Sequence, residues 1–241
     1  GMTYWWSRRY SEALKAFDRA IALAPDQMWP YLGKTFNFWS WKGVAPEGRA
    51  ALDTVPLTNP WGAWTWYWQV VFEGRYPEAL ATLDALEGDW IRIKIGARPK
   101  ALYRAYVYEL SDQPQQARKA LEEARSMLEA EVAADPDDPR FHSSLGIVYA
   151  MLGRKEEAIR EGRVAVELFP VTKDAIYATP YAIDLAHIYA ITGEHEAAIE
   201  QLDKLLQHPG WISTAYLMVD PRWNPLTEDP DYQALLARHS D

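Results

Sequence analysis

Small residues recur along this chain at a spacing close to the length of a helix pair. They stand at intervals of 35, 31, 38, 41 and 40 residues, at Ala13, Gly48, Ala79, Ala117, Ala158 and Ala198. Each lies in a stretch whose apolar residues follow the period of an α-helix, and a small side chain lets two helix backbones approach. Repeats of roughly 20 to 50 residues are typical of stacked, quasi-linear folds. The sequence therefore predicts a chain of packed helix pairs.

One stretch, FHSSLGIVYAMLGRKEEAIREGRVAVELFP at 141–170, shows the unit most clearly. Its landmarks are the small and large apolar positions of two helices and the residues that end them: Leu145, Gly146, Tyr149, Gly153, Ala158, Ala165 and Pro170. These residues resemble the tetratricopeptide repeat, a helix-turn-helix unit of about 34 residues. The resemblance covers nearly the whole chain. It implies an all-α fold, a right-handed α-solenoid that ends in a capping helix.

The resemblance implies about five and a half repeats in a single array over 1–241. The predicted parts are a partial first repeat at 1–25, repeats at 26–60, 61–97, 98–137, 138–171 and 172–210, and a C-terminal cap at 211–241. We expect about twelve or thirteen helices and no sheet. The segment EGDWIRIKIGARP at 87–99 is predicted to be an extended linker, because a lone strand would have no partner. Two residues depart from the repeat: Tyr67 stands where a small side chain is expected, and Gly162 where a large one is.

The composition is that of an ordinary globular protein, and it restricts the classes of partner. Of the 241 residues, 49% are hydrophobic and 24% are charged, and the formal net charge is -9. Nucleic acid and anionic membranes are therefore not expected as partners. No apolar run is long enough for a membrane-spanning helix. The chain has no cysteine, which excludes disulfides and thiolate metal sites. No cofactor is expected.

Ten of the twelve tryptophans precede residue 91, and four of them stand in WGAWTWYW at 61–68. In a tetratricopeptide repeat the first helix lines the concave surface. Counting back from Ala79, the resemblance implies that Trp61, Trp64 and Trp68 face this surface and that Trp66 lies in the core. These rings would either pack structurally against the preceding unit or form an aromatic wall for a partner's apolar side chains. The sequence leaves both interpretations open.

Polar residues flank this aromatic wall in the same count. Lys34 and Asn37 resemble part of the carboxylate clamp by which some tetratricopeptide domains hold a peptide C-terminus, but the next unit supplies tryptophan where the clamp needs Asn and Lys. Further along, the residues expected on the same surface are Tyr106, Arg140, Ser143, Ser144, Asp184 and His187. They could equally be solvated groove residues. The predicted partner-binding set is Lys34, Asn37, Trp61, Trp64, Trp68, Tyr106, Arg140, Asp184 and His187.

The sequence gives little support for an enzyme. The five histidines, at 142, 187, 195, 208 and 239, form no zinc-binding pair on one helix face. Neither a phosphate-binding glycine loop nor a nucleophile elbow occurs. Asp184 and His187 are three residues apart on a predicted helix, and Ser143 or Ser144 on the neighbouring unit could be imagined as a nucleophile. That grouping rests on spacing alone.

These observations favour a non-enzymatic scaffold that binds a peptide or protein segment in a concave groove. A sensor that binds a small molecule or sugar in the tryptophan-rich half is the alternative. The segment 220–239 and the first unit resemble the C-terminal repeat arrays of bacterial multidomain regulators that carry winged-helix, kinase or cyclase domains, which implies a docking or sensing module. The first predicted helix lacks most of its length. We therefore expect an apolar N-terminal edge, formed by Tyr4, Trp5 and Trp6, that self-associates.

Overall fold

The computed structural model describes residues 1–208 and 210–240. These residues form fourteen α-helices, one 3-10 helix and a two-stranded sheet. The predicted all-α fold class is confirmed, whereas the expectations of twelve or thirteen helices and of no sheet are wrong. The 3-10 helix lies at Pro221–Leu226, inside the predicted C-terminal cap.

Helices follow one another along the chain, and the two short strands lie near its middle. In chain order the elements are α1 Met2–Trp6, α2 Tyr10–Leu23, α3 Met28–Lys42, α4 Pro46–Leu52, α5 Pro60–Phe72, α6 Tyr76–Asp84, β1 Trp90–Ile93, β2 Gly96–Pro99, α7 Lys100–Leu110, α8 Pro114–Ala134, α9 Pro139–Met151, α10 Lys155–Leu168, α11 Thr179–Ile191, α12 His195–Leu206, α13 Thr214–Val219, the 3-10 helix Pro221–Leu226 and α14 Pro230–His239.

A left-handed backbone residue connects the two helices of each of six pairs. It stands five residues before the small residue of the second helix, at Arg8, Gly43, Gly74, Asp112, Gly153 and Gly193. Glycine adopts a positive φ without steric cost, and Asp tolerates it better than most other residues. The six small residues of the sequence thus mark six helix-turn-helix units in the structure. The predicted boundaries of the repeats remain predictions.

Glycines in the helices lie where a neighbouring side chain or backbone comes very close. A Cβ added to Gly146 would meet the Ala158 carbonyl oxygen and the Gly162 backbone nitrogen, both at 3.0 Å. Gly162 itself departs from the repeat pattern, and a Cβ there would meet Ile188 Cδ1 at 2.7 Å. The volume that a large side chain would have filled is therefore occupied by Ile188 from α11. Close packing of α9, α10 and α11 is kept.

The segment predicted as an extended linker is a β-hairpin. Strand β1 pairs with β2 in antiparallel register, from Trp90 opposite Pro99 to Ile93 opposite Gly96. Ile91 and Ile93 are buried and Arg92 between them is exposed, which is the alternation of a strand with one covered face. The prediction failed because the partner strand is the very next segment, reached by a turn of two residues that lacks the usual Asn-Gly or Asp-Gly signal.

The chain divides into two compact units. Unit 1 comprises Gly1–Leu86, Leu206–Pro221 and Leu236–Asp241, and unit 2 comprises Glu87–Leu205 and Arg222–Leu235. Unit 1 contains the first three helix pairs together with α13. Unit 2 contains the hairpin and the last three helix pairs, α7 to α12. Both units are thus discontinuous in sequence.

The short helix α1 is anchored inside unit 1 by one of its tryptophans. Trp5 is 2% exposed, and its ring lies 5.7 Å from Phe36 and 5.5 Å from Trp211. Its Nε1–H donates to Ser40 Oγ at 3.0 Å. Tyr4 is exposed and Trp6 is half-buried. The N-terminal edge is therefore less apolar than the sequence suggested, and self-association through it remains a prediction.

Candidate partner-binding site

The structure buries five of the nine predicted partner-binding side chains. The buried ones are Asn37, Trp68, Tyr106, Asp184 and His187. The others are half-buried: Lys34, Trp61, Trp64 and Arg140. A buried side chain offers no surface to a partner in this structure, so only the half-buried ones remain candidates for direct contact.

Three tryptophans form a partly exposed stripe on the first turns of α3 and α5. Trp29 is 49% exposed, and its ring centroid lies 5.4 Å from that of Trp61, which lies 5.9 Å from that of Trp64. Both contacts are edge-to-face, the favoured arrangement for aromatic rings. Asn59 fixes the start of α5, because its side chain accepts hydrogen bonds from the backbone N–H groups of Trp61 and Gly62. We call Trp29, Trp61 and Trp64 the tryptophan stripe.

The count that placed Trp68 on the groove and Trp66 in the core is corrected by the structure. Trp68 is fully buried, with its ring 5.1 Å from Tyr67 and 5.7 Å from Phe72. Trp66 is half-buried, and the Arg49 guanidinium carbon lies 5.2 Å from its ring centroid. The physical reason is that α5 carries no charged residue and that its two polar side chains, Thr65 and Gln69, are themselves buried. A helix of this kind packs on more than one face, so its sequence alone does not predict which face is exposed.

Tyr67 also differs from the expectation, since a small residue is typical of its position. Its side chain is nevertheless fully buried and packs edge-to-face against Trp68. The large ring of Tyr67 is therefore part of the core of unit 1, and the helices around it still pack closely.

Lys34 and Asn37 do not form a clamp for a carboxylate. Lys34 Nζ donates to Asp18 Oδ1 at 2.7 Å, so its charge is already paired within the chain. Asn37 is fully buried, and its Nδ2 donates to the Tyr10 carbonyl oxygen at 3.2 Å. The amide of Asn37 thus connects α3 to α2, and the clamp interpretation is not supported.

The remainder of the aromatic face in unit 1 is covered by the chain's own helix α13. Tyr216 packs edge-to-face on Phe72, with ring centroids 5.7 Å apart, and lies 6.4 Å from Trp39. Ser213 caps α13 and donates from Oγ to the Ser40 carbonyl oxygen at 2.6 Å. This part of the predicted groove is therefore occupied by a segment of the same chain.

In unit 2 the hairpin occupies the surface on which a partner was expected. Ser144 Oγ donates to the Ala97 carbonyl oxygen of β2 at 3.0 Å. The Arg98 guanidinium pairs with Asp184, and Ser143 Oγ donates to the same carboxylate. The side chains of Arg98 and Asp184 are 8% and 6% exposed. The predicted residues of α9 and α11 therefore do converge, but on the hairpin.

This buried ion pair is electrostatically well matched. Burial by itself disfavours the charge on Arg98, but the adjacent Asp184 carboxylate more than offsets this and raises the pKa of the guanidinium. Burial raises the pKa of the neighbouring Tyr103 to about 12, so its hydroxyl stays neutral. The guanidinium of Arg98 is therefore charged throughout the physiological range.

His187 is a neutral imidazole in the core of unit 2. It stacks on Tyr106 with ring centroids 6.0 Å apart and meets the Trp223 ring at 5.8 Å. Burial holds the pKa of His187 well below its ordinary value, and the positive charges of Arg222 and Arg98 act in the same direction. Its Nδ1 has no hydrogen-bond partner among the residues that the structure describes.

The imagined grouping of Ser143, Asp184 and His187 is not arranged as a catalytic triad. In a triad the imidazole lies between the serine and the carboxylate. Here Ser143 donates directly to Asp184, while His187 contacts aromatic rings. Over residues 1–208 and 210–240, no group of three or more His, Asp or Glu side chains is placed to hold a metal ion. The spacing in the sequence was a coincidence of helix geometry.

Arg140 lies at an open cleft of unit 2 with a volume of about 370 Å³. Its guanidinium is paired with Asp138, the N-cap residue of α9, with Nε 3.0 Å from both carboxylate oxygens. The cleft combines aromatic, acidic and basic side chains, and its lining residues are Lys94, Asp135, Asp137, Asp138, Pro139, Arg140, Phe169, Tyr177 and Tyr181. We call it the unit 2 cleft.

Sequence reasoning missed Arg98 and the residues of α13 as parts of the site. Arg98 follows the alternating isoleucines of WIRIKIGARP, and a cation in such an apolar segment needs a carboxylate partner once it is buried. That signal could have connected it with Asp184. The segment WISTAYLMV carries aromatic and aliphatic residues on more than one side, which indicates burial. The spacing of these residues does not predict which surface the segment covers.

Two histidines of unit 2 should respond oppositely to acid. His187 has a folded pKa below its unfolded value of about 6.5, so stability falls as the pH drops below that value, by about 1.4 kcal/mol per pH unit. The hydrogen bond that protonated His142 donates to the Glu161 carboxylate raises the pKa of His142. The stability that His142 contributes is therefore complete below about pH 6.5 and is lost as the pH rises through its folded pKa. We expect His187→Gln to weaken the acid dependence of the unfolding free energy and His142→Gln to strengthen it, measured by urea denaturation between about pH 5.5 and 7.5. Parallel profiles for wild type and His187→Gln would contradict the assignment.

Comparison with known families decides which repeat this is. Two models, both described as the tetratricopeptide repeat, match the chain, one at residues 108–171 and the other at 180–207. The chain contains tetratricopeptide repeats. The two matches cover helices α8 to α12, which include the unit that showed the pattern most clearly. No curated protein matches the chain.

Tetratricopeptide repeats generally mediate protein–protein interaction, and the aromatic and charged surfaces of the two units are of the kind that such interactions use. Repeat proteins of this family are typically non-enzymatic scaffolds. In the part of the chain that the structure describes, no helix combines the length and apolar character needed to cross a bilayer. A protein partner is therefore the coarse functional conclusion that the matched repeats support.

Proposed function

We propose that this chain binds a peptide or protein segment through the tryptophan stripe of unit 1. The observation that carries the proposal is the row of three adjacent rings, one of them 49% exposed, held edge-to-face at 5.4 and 5.9 Å. Contiguous exposed apolar surface is uncommon on soluble proteins and marks interaction sites. Tryptophan is also strongly enriched among the residues that dominate binding energy.

The intramolecular contact next to the stripe indicates what kind of segment would fit. Helix α13 places Tyr216 against Phe72 and Trp39, and Trp64 lies 6.3 Å from that same Trp39. The stripe thus continues the aromatic surface that already accepts an aromatic side chain from a short helix. We propose a partner segment that presents an aromatic or large aliphatic side chain in the same way.

Replacing Trp64 should weaken partner binding more than it weakens the fold. Trp64 is half-buried, so its ring offers surface to a partner while also contacting Phe36 and Trp39. Loss of an anchor residue typically removes about 2 kcal/mol of binding free energy, roughly a thirtyfold increase in Kd. Peptides selected from a random display library against the full chain provide the ligand. We expect Trp64→Ala and Trp61→Ala to weaken these peptides by that order.

A matched control tests whether the loss of any exposed apolar side chain weakens peptide binding. Leu23, at the end of α2 in the same unit, is 76% exposed and lies outside the stripe. Leu23→Ala should leave the Kd of the selected peptides unchanged. If the peptides bind wild type and both tryptophan variants equally, the stripe is not the partner-binding surface. Thermal melting of each variant separates lost binding from lost folding.

A small-molecule sensor is the second candidate, favoured by a cavity of about 620 Å³ in unit 1. Trp41 contributes an aromatic wall, and Ser11 and Thr214 contribute hydroxyl groups. A ring for stacking beside hydroxyl groups suits a sugar. The cavity lies away from the tryptophan stripe, so the two candidates concern different residues. The docking role in a larger regulatory protein, suggested by the segment 220–239, belongs to the first proposal.

A further inference from the structure

The unit 2 cleft carries two carboxylates without a counter-ion. Asp135 and Asp137 are exposed at its edge, and neither forms an ion pair with any residue that the structure describes. Arg140, which lines the same cleft, is already paired with Asp138, with its Nε 3.0 Å from both carboxylate oxygens of that residue. The charges of Asp138 and Arg140 therefore cancel locally. Asp135 and Asp137 leave the cleft with one more negative charge than Lys94 balances.

The wall of the cleft offers aromatic faces and a tyrosine hydroxyl without a partner. Tyr181 is only 4% exposed, and its hydroxyl makes no hydrogen bond to any residue within 1–208 and 210–240. Its ring lies edge-to-face with Phe169, with centroids 6.2 Å apart. Because Tyr181 lines the cleft, its hydroxyl is open to a hydrogen bond with a polar group from outside the chain.

One cation of the chain already lies on an aromatic face of this cleft. Lys94, in the hairpin turn, places its ammonium nitrogen 3.4 Å from the centroid of the Tyr177 ring. Lys94 is itself exposed, so the interaction is exchangeable with solvent. The contact shows that the ring face of Tyr177 accepts a positive charge, which is the usual basis of cation–π recognition.

We propose that the unit 2 cleft binds the guanidinium group of an arginine side chain from a partner protein. The planar guanidinium stacks on the Tyr177 ring, donates to the carboxylates of Asp135 and Asp137, and donates to the Tyr181 hydroxyl. Arginine suits this combination better than lysine because it stacks on rings and donates through a planar fork. Lys94 then acts as an internal competitor for the ring face. The site lies in unit 2 and does not depend on the tryptophan stripe.

The opposite chemistry, an anion held by Lys94 and Arg140, is less favoured by the charges. Arg140 has its guanidinium paired with Asp138, and the remaining cation, Lys94, lines the cleft together with two carboxylates that form no ion pair. The chain as a whole carries a formal net charge of -9, which attracts a basic segment and repels an acidic one. Loss of the Lys94 charge should strengthen the binding of a guanidinium and weaken the binding of an anion.

The test uses blocked tripeptides titrated into the full chain and followed by NMR. The probes are acetyl-Gly-Arg-Gly-amide, its citrulline analogue, which has the same shape without the charge, and the Glu analogue. We expect the citrulline peptide to bind at least about tenfold more weakly than the arginine peptide. Asp137→Asn and Asp135→Asn should each weaken the arginine peptide about fivefold, and Lys94→Gln should strengthen it about threefold. Glu156→Gln, which removes the same charge from the exposed face of α10, should change nothing.

Three results would overturn the proposal. Equal binding of the arginine and citrulline peptides would show that the charge is not recognised. Weaker arginine binding in Lys94→Gln, together with binding of the Glu peptide, would assign the cleft to anions. Tighter binding of free L-arginine than of the blocked peptide would replace the protein segment with a free amino acid. Far-UV circular dichroism of Lys94→Gln and of both Asp variants confirms that the hairpin and helices are intact in each.

Discussion

Replacing Asp184 with alanine is expected to lower the free energy of unfolding by about 3–5 kcal/mol. The carboxylate accepts from both Arg98 and Ser143, and its removal leaves the Arg98 charge buried without compensation. Arg98 lies on β2 and Asp184 on α11, so this ion pair also anchors the hairpin to the helices of unit 2. The measurement is urea denaturation at neutral pH, with the slope of the transition compared between variants.

Two further variants distinguish the buried pair from charge in general. Glu200 and Lys204 form an ion pair on α12 with side chains 66% and 62% exposed, and Glu200→Ala should change stability by about 0.5 kcal/mol or less. The double variant Arg98→Met with Asp184→Leu should regain most of the stability lost in Asp184→Ala, because no buried charge remains. A loss in Asp184→Ala as small as that in Glu200→Ala would show that the pair is not buried in solution.

Trp68→Ala should lower the free energy of unfolding by about 3–5 kcal/mol, and Trp66→Ala should lower it much less. Trp68 is fully buried beside Tyr67 and Phe72, so its loss leaves a large cavity in unit 1. Trp66 is half-buried, and the cation–π contact with Arg49 contributes about 0.5–1 kcal/mol. Thermal and chemical melting of the two variants, side by side, provides the measurement.

The comparison of the two tryptophans is a direct test of the register of α5. Counting from the repeat pattern placed Trp66 inside and Trp68 outside, and the structure reverses that order. If Trp66→Ala is the more destabilising variant, the sequence count is right and the helix is rotated relative to its place in the structure. Equal losses would mean that both rings are core.

The helix pairs could be predicted from the sequence because their causes are local. A small residue at a helix crossing, as at Ala158, and a left-handed residue five positions earlier, as at Gly153, are constraints that neighbouring residues impose. The same argument holds at Asp112, where a residue other than glycine adopts the conformation. Local signals of this kind survive in a single sequence, and each of the six small residues does lie in the second helix of a pair.

The site could be predicted only in part, because its occupants come from distant parts of the sequence. Ser143 and Asp184 were expected on one surface, and the structure does bring them together. The group that they contact, Arg98, belongs to a hairpin that the repeat pattern does not contain. Which part of the chain covers a surface depends on long-range packing, and neither periodicity nor composition records it.

Helix α5 shows a second limit of the same kind. It carries no charged residue, and the face that holds its polar residues, Thr65 and Gln69, is buried, so its pattern of polar and apolar residues does not mark the exposed face. Of the three tryptophans expected on the concave surface, Trp61 and Trp64 are partly exposed and Trp68 is buried. Trp29 of α3 lies beside Trp61. An unpatterned helix needs its neighbours to be known before its exposed side can be named.

The discontinuity of unit 1 has a consequence for the order in which the protein folds. Repeat proteins usually fold quickly because their contacts join neighbours in sequence. Unit 1 is completed by 206–221, and the bond from Ser213 to Ser40 joins residues 173 positions apart. Closing such a loop costs about 1.3 kcal/mol more than closing one of roughly 40 residues. During synthesis on a ribosome, the first three helix pairs emerge long before α13. The aromatic face that α13 covers in the folded protein therefore stays exposed until α13 has been made.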